Sequence, residues 1–145
     1  MFEHLRNLLR EKPPAVSPED ERRLAAAVLL FEVARSDLEQ HPLELTTLRE
    51  GLVRDFNVPE AAIDALVEQA KARSKQAVSL YEFVQTLNQT MSQDEKRGLL
   101  KLLWQVAQAD GTIDPHEEHL IRQLAELLHL SHADFIRGKL SAGNS

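Results

Sequence analysis

Residues 99–131, LLKLLWQVAQADGTIDPHEEHLIRQLAELLHLS, contain two apolar-periodic segments that flank an acidic stretch. The first segment places Leu99, Leu102, Leu103 and Val106 at the three- and four-residue spacing of one helix face. The second segment repeats this spacing in Leu120, Ile121, Leu124, Leu127 and Leu128. Between them, Asp114-Pro115 is typical of a helix start, with an N-cap carboxylate followed by proline at the first helical position. The stretch therefore predicts a helix–acidic turn–helix unit.

Similar helix-start signals recur along the rest of the chain, and no segment shows sustained strand alternation between hairpin turns. They lie at Ser17-Pro18, His41-Pro42, Val58-Pro59, Ser79, Ser92 and Ser131. The pairs Ser79 with Glu82 and Ser92 with Glu95 both match the capping-box pattern. We therefore expect an all-α protein, a compact bundle of about seven to eight helices. Residues 1–16 are predicted as a short amphipathic helix with a proline linker, 17–140 as the domain, and 141–145 as a flexible tail. Residues 71–78 are predicted as a frayed helix end or connection.

The composition excludes several classes of protein. The chain has 145 residues, a net charge of −6 and no cysteine. An acidic chain does not suit binding to nucleic-acid phosphates, and a chain without cysteine forms neither disulfides nor cysteine-ligated zinc sites. The N-terminus lacks the uninterrupted apolar stretch of a signal peptide, so we expect a cytoplasmic protein.

The N-terminal segment carries an apolar stripe formed by Phe2, Leu5, Leu8 and Leu9, with basic residues around it. This pattern favours a short helix that packs on the domain. The alternative is a helix, Phe2–Arg10, that contacts a partner or the membrane surface. Three turns of helix would anchor poorly to a membrane alone.

An internal duplication is indicated when the chain is shifted on itself by 73 residues. The shift aligns LLFEVARSD (29–37) with LLWQVAQAD (102–110), with Phe31 on Trp104. It then pairs Pro42 with Pro115, Glu44 with Glu117 and Arg49 with Arg122. Two helical hairpins that each expose an apolar face should pack together. We therefore predict two pseudo-repeated halves, with the acids Asp37 and Asp110 brought near each other.

The stretch Asp110–Glu118, hereafter the acidic turn, partly matches a calcium-binding EF-hand loop. Gly111 and Glu117 take the sixth and twelfth loop positions, but the first and third are Val106 and Gln108 instead of acids. The sequence thus disfavours an EF-hand. Unconventional binding of Ca²⁺, Mg²⁺, Mn²⁺ or Zn²⁺ stays open as an alternative. Its candidate ligands are Asp37, Glu44, Asp110, Asp114, Glu117 and Glu118.

Helix capping explains much of the same turn without a metal. Asp114 and Glu117 form a capping-box pair, and Gly111 suits the end of the preceding helix. Asp110 and Glu118 are left unexplained. A carboxylate at a helix C-terminus opposes the helix dipole, so we expect Asp110, and Asp37 in the first half, to meet a cation, a metal or free backbone amides. Arg35 and Arg122 are the candidate partners.

The quoted motif resembles the TerB-like family, the domain of the tellurite-resistance protein TerB. The resemblance is carried by VAQADGTIDPHEEHLIRQLAELLHLS (106–131) and by VARSDLEQHPLELTTLREGLVRDFNVPEAAIDAL (33–66), within roughly residues 20–140. It implies an all-helical domain with paired halves, found alone or fused to other modules, including a membrane-linked J-domain co-chaperone. It also implies an interaction or metal-responsive stress role, with Asp37, Glu44, Asp110 and Glu117 as the acids that carry over.

These observations favour a non-enzymatic protein–protein interaction module. Its acidic turn surface, or the groove between its halves, would bind a partner protein or a second copy of the chain. The alternative is a divalent-cation-binding domain with the turn carboxylates as ligands, and a third hypothesis is a hydrolase with a metal at that patch. No phosphate-binding glycine loop, nucleophile elbow or nucleophile–base pair is recognisable in the local sequence.

Overall fold

The structure, a computed structural model, describes residues 17–35 and 42–143. These ranges form seven α-helices and no strand, which confirms the predicted all-α class. The helices are α1 (Pro18–Arg35), α2 (Pro42–Phe56), α3 (Glu60–Gln76), α4 (Tyr81–Thr90), α5 (Gln93–Gln108), α6 (Pro115–Leu127) and α7 (His132–Gly143). None of these helices is long and apolar enough to cross a membrane. The N-terminal segment 1–16 lies outside the described residues.

Three helix starts are capped as the sequence predicts. The Ser17 hydroxyl accepts a hydrogen bond from the Asp20 N–H at 3.1 Å. Ser92 and Glu95 form a reciprocal capping box at the start of α5, with distances of 2.9 and 3.1 Å. At the start of α7 the same exchange joins Ser131 and Asp134, at 3.1 and 3.0 Å. Each exchange satisfies backbone donors that have no partner inside the helix.

Three local predictions differ from the structure. The capping box predicted for Ser79 and Glu82 is wrong, because α4 begins at Tyr81 and the Ser79 hydroxyl accepts from the Tyr81 N–H at 3.0 Å. Helix α3 continues through Gln76, into the predicted connection 71–78. Helix α7 extends to Gly143, so the segment predicted as a flexible tail begins within a helix.

Two helices, α1 and α5, lie at the centre of the bundle. Every residue of α1 from Ala25 to Phe31 is buried, because α2, α3, α4 and α5 all pack against this helix. A helix enclosed on all sides needs apolar residues around its whole circumference, and the run AAAVLLF supplies them. Helix α5 is enclosed similarly by α1, α2, α6 and α7, with Trp104 fully buried within it.

The order of helices is the same in both halves. The first half is α1–α2–α3, the second is α5–α6–α7, and α4 connects them. In each half the first and third helices pack extensively together. The second helix of each half ends in a left-handed residue, Asn57 (φ 55°) after α2 and His129 (φ 61°) after α6. These features support the duplication, which stays a prediction because Asp37 lies outside the described residues.

Two glycines allow close contacts with α5. A Cβ at Gly51 of α2 would lie 2.6 Å from Leu102 Cδ2, so a larger residue there would overlap the leucine. A Cβ at Gly138 of α7 would lie 3.0 Å from Trp104 Cδ1. The indole packs in this space, with its N–H donating to the Phe135 carbonyl at 3.1 Å. Small residues thus determine how closely α2 and α7 approach the central helix.

Candidate functional site

The backbone of the acidic turn follows directly from the end of α5. The helix continues through Gln108, and Val106 is fully buried in the core, where an EF-hand would need its first metal ligand. Gly111 then adopts a φ of 90° and its N–H donates to the Gln108 carbonyl at 2.9 Å. This conformation is open to glycine without strain. The turn is therefore a helix termination and not a calcium loop.

Asp110 is held by the turn itself. Its Oδ1 accepts hydrogen bonds from the Thr112 N–H at 3.1 Å and from the Thr112 hydroxyl at 3.3 Å. Neither of the two candidate arginines pairs with Asp110, and a pairing of Arg35 with Asp37, which lies outside the described residues, stays a prediction. Arg35 pairs with Glu32 at 3.2 Å, and the Arg122 guanidinium lies 5.2 Å from the centre of the Phe135 ring. The Thr112 backbone N–H thus offsets the unfavourable interaction of the Asp110 carboxylate with the helix dipole, as the expectation of free backbone amides allows.

Asp114 and Glu117 form the predicted capping box at the start of α6. The Asp114 carboxylate accepts from the His116 N–H at 2.7 Å, and Glu117 Oε1 accepts from the Asp114 N–H at 3.4 Å. Glu117 is fully buried. A carboxylate in the first turn also interacts favourably with the positive end of the helix dipole. Capping thus accounts for both acids.

Glu118 joins the turn to α7. Lys139 Nζ donates to Glu118 Oε1 at 2.6 Å and lies 5.5 Å from the centre of the Trp104 ring. The Gln108 side-chain amide donates to the Lys139 carbonyl at 3.2 Å. The first contact ties the C-terminal part of α7 to the acidic turn, and the second ties it to the end of α5. The two acids that capping left unexplained, Asp110 and Glu118, therefore have structural partners.

The first half contributes only part of its predicted site to the described residues. Asp37 lies outside them, as does the cap position His41. Glu44 is described, and it is fully buried in the first turn of α2, two residues after Pro42. Glu117 occupies the matching position of α6, two residues after Pro115. The two halves thus share a buried glutamate at the same point of their second helices.

The positions of the histidine and acidic side chains bear directly on metal binding. Across 17–35 and 42–143, no group of three or more histidine or acidic side chains is placed to hold an ion. Asp114 and Glu118 already engage a backbone N–H and a lysine ammonium, respectively. A site that includes Asp37 is not tested by this geometry. The six-residue ligand set of the sequence analysis stays a prediction.

Two polar residues outside the predicted site are buried against specific partners. Asp134 accepts from Arg97 Nε at 3.1 Å and lies 3.5 Å from Arg137 Nη1. The hydrogen bond from the Ser131 backbone N–H lowers the pKa of Asp134 below its ordinary value, against the opposing effect of burial. Lys96 donates to the Leu128 carbonyl at 2.9 Å, at the C-terminus of α6. Lys96 was not predicted from the sequence, and its only local signal is that it lies three residues before Leu99, in line with the apolar stripe of α5.

Glu95 is the second acid with a perturbed pKa. The hydrogen bond from the Ser92 backbone N–H lowers its pKa, and the nearby Arg22 guanidinium contributes in the same direction. Both perturbed acids therefore belong to capping boxes. Their lowered pKa values thus reflect helix capping.

Comparison with known protein families agrees with this architecture. The family described as "Tellurite resistance protein TerB" matches residues 23–140. The chain belongs to the TerB family. The match spans all of α2 to α6 with the acidic turn, and most of α1 and α7, so the chain is a tellurite-resistance-associated TerB domain. No curated protein and no solved structure matches it significantly.

Proposed function

We propose that this TerB domain is a non-enzymatic, cytoplasmic protein–protein interaction module that binds through its acidic turn. The observation that carries the proposal is that the turn is fixed by hydrogen bonds within itself and by contacts with α5, α6 and α7. Hydrogen bonds hold Asp110 and Asp114, and the Glu118–Lys139 pair attaches α7. A surface fixed before binding loses little conformational entropy when a partner docks.

The outer face of the turn offers polar groups beside an apolar pair. Thr112, His116 and His119 are exposed on the turn and the first turns of α6. On α7, Ile136 and Leu140 are exposed and lie one helical turn apart, and Leu140 directly follows Lys139. Polar groups around exposed apolar side chains are typical of protein-binding surfaces. The partner is therefore expected to present an apolar side chain with donors around it, and a second copy of the chain is one candidate.

Surface variants test this proposal without removing the turn's internal contacts. His116→Arg, at an exposed side chain, and Leu140→Asp should each reduce capture of a partner, or self-association, by at least about tenfold, which corresponds to roughly 1.4 kcal/mol. Affinity capture measures partner binding, and light scattering at several protein concentrations measures self-association. Val78→Asp, a substitution at a fully exposed residue between α3 and α4, is the matched control. If the two surface variants behave like this control, the interaction surface lies elsewhere.

The alternative is a divalent-cation-binding domain, which is supported by the density of acids in the turn. Calorimetric titration with Ca²⁺, Mg²⁺, Mn²⁺ and Zn²⁺, after treatment with a chelator, tests it directly. Asp110→Asn combined with Glu118→Gln removes two of the charges and leaves the capping box intact. Binding tighter than about 1 mM that this double variant abolishes would support the cation hypothesis. The absence of any heat of binding in the unsubstituted chain, or equal binding in the double variant, would exclude the cation hypothesis.

A further inference from the structure

A second surface, remote in sequence from the acidic turn, is a groove between α1, α3 and α4. Its volume is about 690 Å³. Much of its lining is apolar, and the side chains concerned are Leu24, Ala25, Val58, Ala62, Leu66 and Phe83. Leu24 and Leu66 are only partly buried, although both pack against the hydrophobic core. The groove therefore leaves apolar surface uncovered at the edge of the core.

The rim of this groove is more acidic than basic. Asp20, Glu21 and Glu82 lie along it together with two arginines, Arg23 and Arg73. Both arginines are already engaged. Arg23 donates to two backbone carbonyls at 2.9 Å, and Arg73 pairs with Glu82 at 3.9 Å. Glu21 forms no ion pair with any residue that the structure describes. The rim thus favours an apolar occupant that carries positive charge.

The chain's own N-terminal segment has this character. Its stripe of Phe2, Leu5, Leu8 and Leu9 lies among the basic residues Arg6, Arg10 and Lys12. The segment also joins the domain at the groove, because α1 begins at Pro18 and Asp20, Glu21 and Leu24 line the groove from its first two turns. No other part of the sequence outside the described residues has a comparable apolar stripe.

The length of the segment suits this position. Residues 1–12 would span about 18 Å as a helix, at 1.5 Å per residue. Residues 13–16, which include two prolines, span about 12 Å when extended, at roughly 3.1 Å per residue. This tether allows the segment to reverse direction and lie along the groove. Attachment to the same chain also gives an effective concentration in the millimolar range, so even a weak contact would be populated.

We propose that residues 1–12 occupy the groove between α1, α3 and α4 of the same chain. The apolar stripe covers Leu24, Ala62 and Leu66, and the basic residues face the rim carboxylates. The segment is thus part of the domain's own core. Under this proposal it does not serve as a membrane anchor. A second copy of the chain, whose segment would fill the groove in exchange, is the competing occupant.

Cross-linking in the full chain tests the position of the segment. The sequence has no cysteine, so two introduced cysteines react without competition. Leu8→Cys is paired with Ala65→Cys, an exposed groove residue on α3, and treated with a short bismaleimide. The control pairs Leu8→Cys with Ala133→Cys, which is exposed on α7. We expect the groove pair to cross-link within one chain at least about tenfold faster than the control pair.

Equal rates for the two pairs would overturn the proposal, and so would products that are mainly cross-linked dimers. A second variant removes the apolar stripe. Leu5→Asp with Leu8→Asp should lower the unfolding temperature by several degrees, whereas Val78→Asp should not change it. Flotation with phosphatidylserine vesicles provides the remaining arm. Vesicle binding by the full chain that depends on Leu5 and Leu8 would show that the stripe is free, and would also overturn the proposal.

Discussion

The two halves of the domain have the same order of helices. They differ in how closely the second helix of each half packs on the central helix of the other half. Helix α2 packs extensively on α5, whereas α6 makes a smaller contact with α1. Gly51 allows the first approach, and the repeat places Leu124 at the matching position of the second half. The additional helix α4 packs on α1 instead. A shared apolar pattern thus gives a shared topology, while single small residues decide which helices come close.

The largest expected effects test whether the two central helices are equivalent. Phe31 and Trp104 are matched by the repeat and buried in α1 and α5. Phe31→Ala and Trp104→Ala should each lower the free energy of unfolding by about 3–5 kcal/mol, because each leaves a large cavity. Urea denaturation followed by circular dichroism measures both. A loss below about 1 kcal/mol for Phe31→Ala would show that the two central helices are not equivalent, because removal of a ring from a packed core costs more than this.

A smaller effect tests the glycine that distinguishes α2 from α6. Gly51→Ala should destabilise the domain by about 1–3 kcal/mol, because the new Cβ overlaps the Leu102 side chain. Gly98→Ala is the matched control. This glycine is exposed within α5, and its Cβ would meet nothing within 4 Å. The control should gain about 0.5–1 kcal/mol from helix propensity. Equal gains in both variants, measured by urea denaturation, would show that α2 and α5 are not held closely.

Capping provides a third test, because the same sequence pattern has two outcomes. Ser92→Ala removes a capping box and should lower the free energy of unfolding by about 1 kcal/mol. Ser79→Ala removes a single hydrogen bond to the Tyr81 N–H and should cost less than half as much. Thermal denaturation of the two variants compares them directly. An equal loss would indicate that Ser79 does cap α4 in solution.

The smallest effect concerns the pH dependence of the second half. Asp134 has a lowered pKa in the folded protein, so its deprotonated form is favoured by folding. Its stabilising contribution is complete above the unfolded pKa, near 4, and is lost as the pH falls through the folded value. Asp134→Asn should therefore weaken the decline of stability below about pH 4. NMR titration of Asp134 and urea denaturation at several pH values measure this, and identical pH profiles would contradict it.

The fold was largely predictable because its signals are local. Apolar spacing identified the helices, and Ser92 with Glu95 or Asp114 with Glu117 fixed where two of them begin. Ser79 and Glu82 show the limit of that reasoning. The pair has the same spacing, but α4 begins at Tyr81, and the pattern alone does not determine where a helix starts.

The candidate site was harder to predict because its contacts join distant residues. Glu118 and Lys139 are 21 positions apart, so their pairing depends on how α6 and α7 pack. The guanidinium of Arg122, a predicted partner of Asp110, lies over the Phe135 ring instead. Thr112, which does contact Asp110, is only two residues away and was missed because both of its contacts arise from the local shape of the turn.

Trp104 is the chain's only tryptophan, and it is fully buried between α5 and α7. The domain therefore carries one indole fluorophore, located in its second half. Its emission should be blue-shifted in the folded state and move to longer wavelength when water reaches the indole. The only tyrosine, Tyr81, is exposed at the start of α4. Without any label, tryptophan fluorescence can therefore follow loosening of the second half, while circular dichroism follows the helices of both.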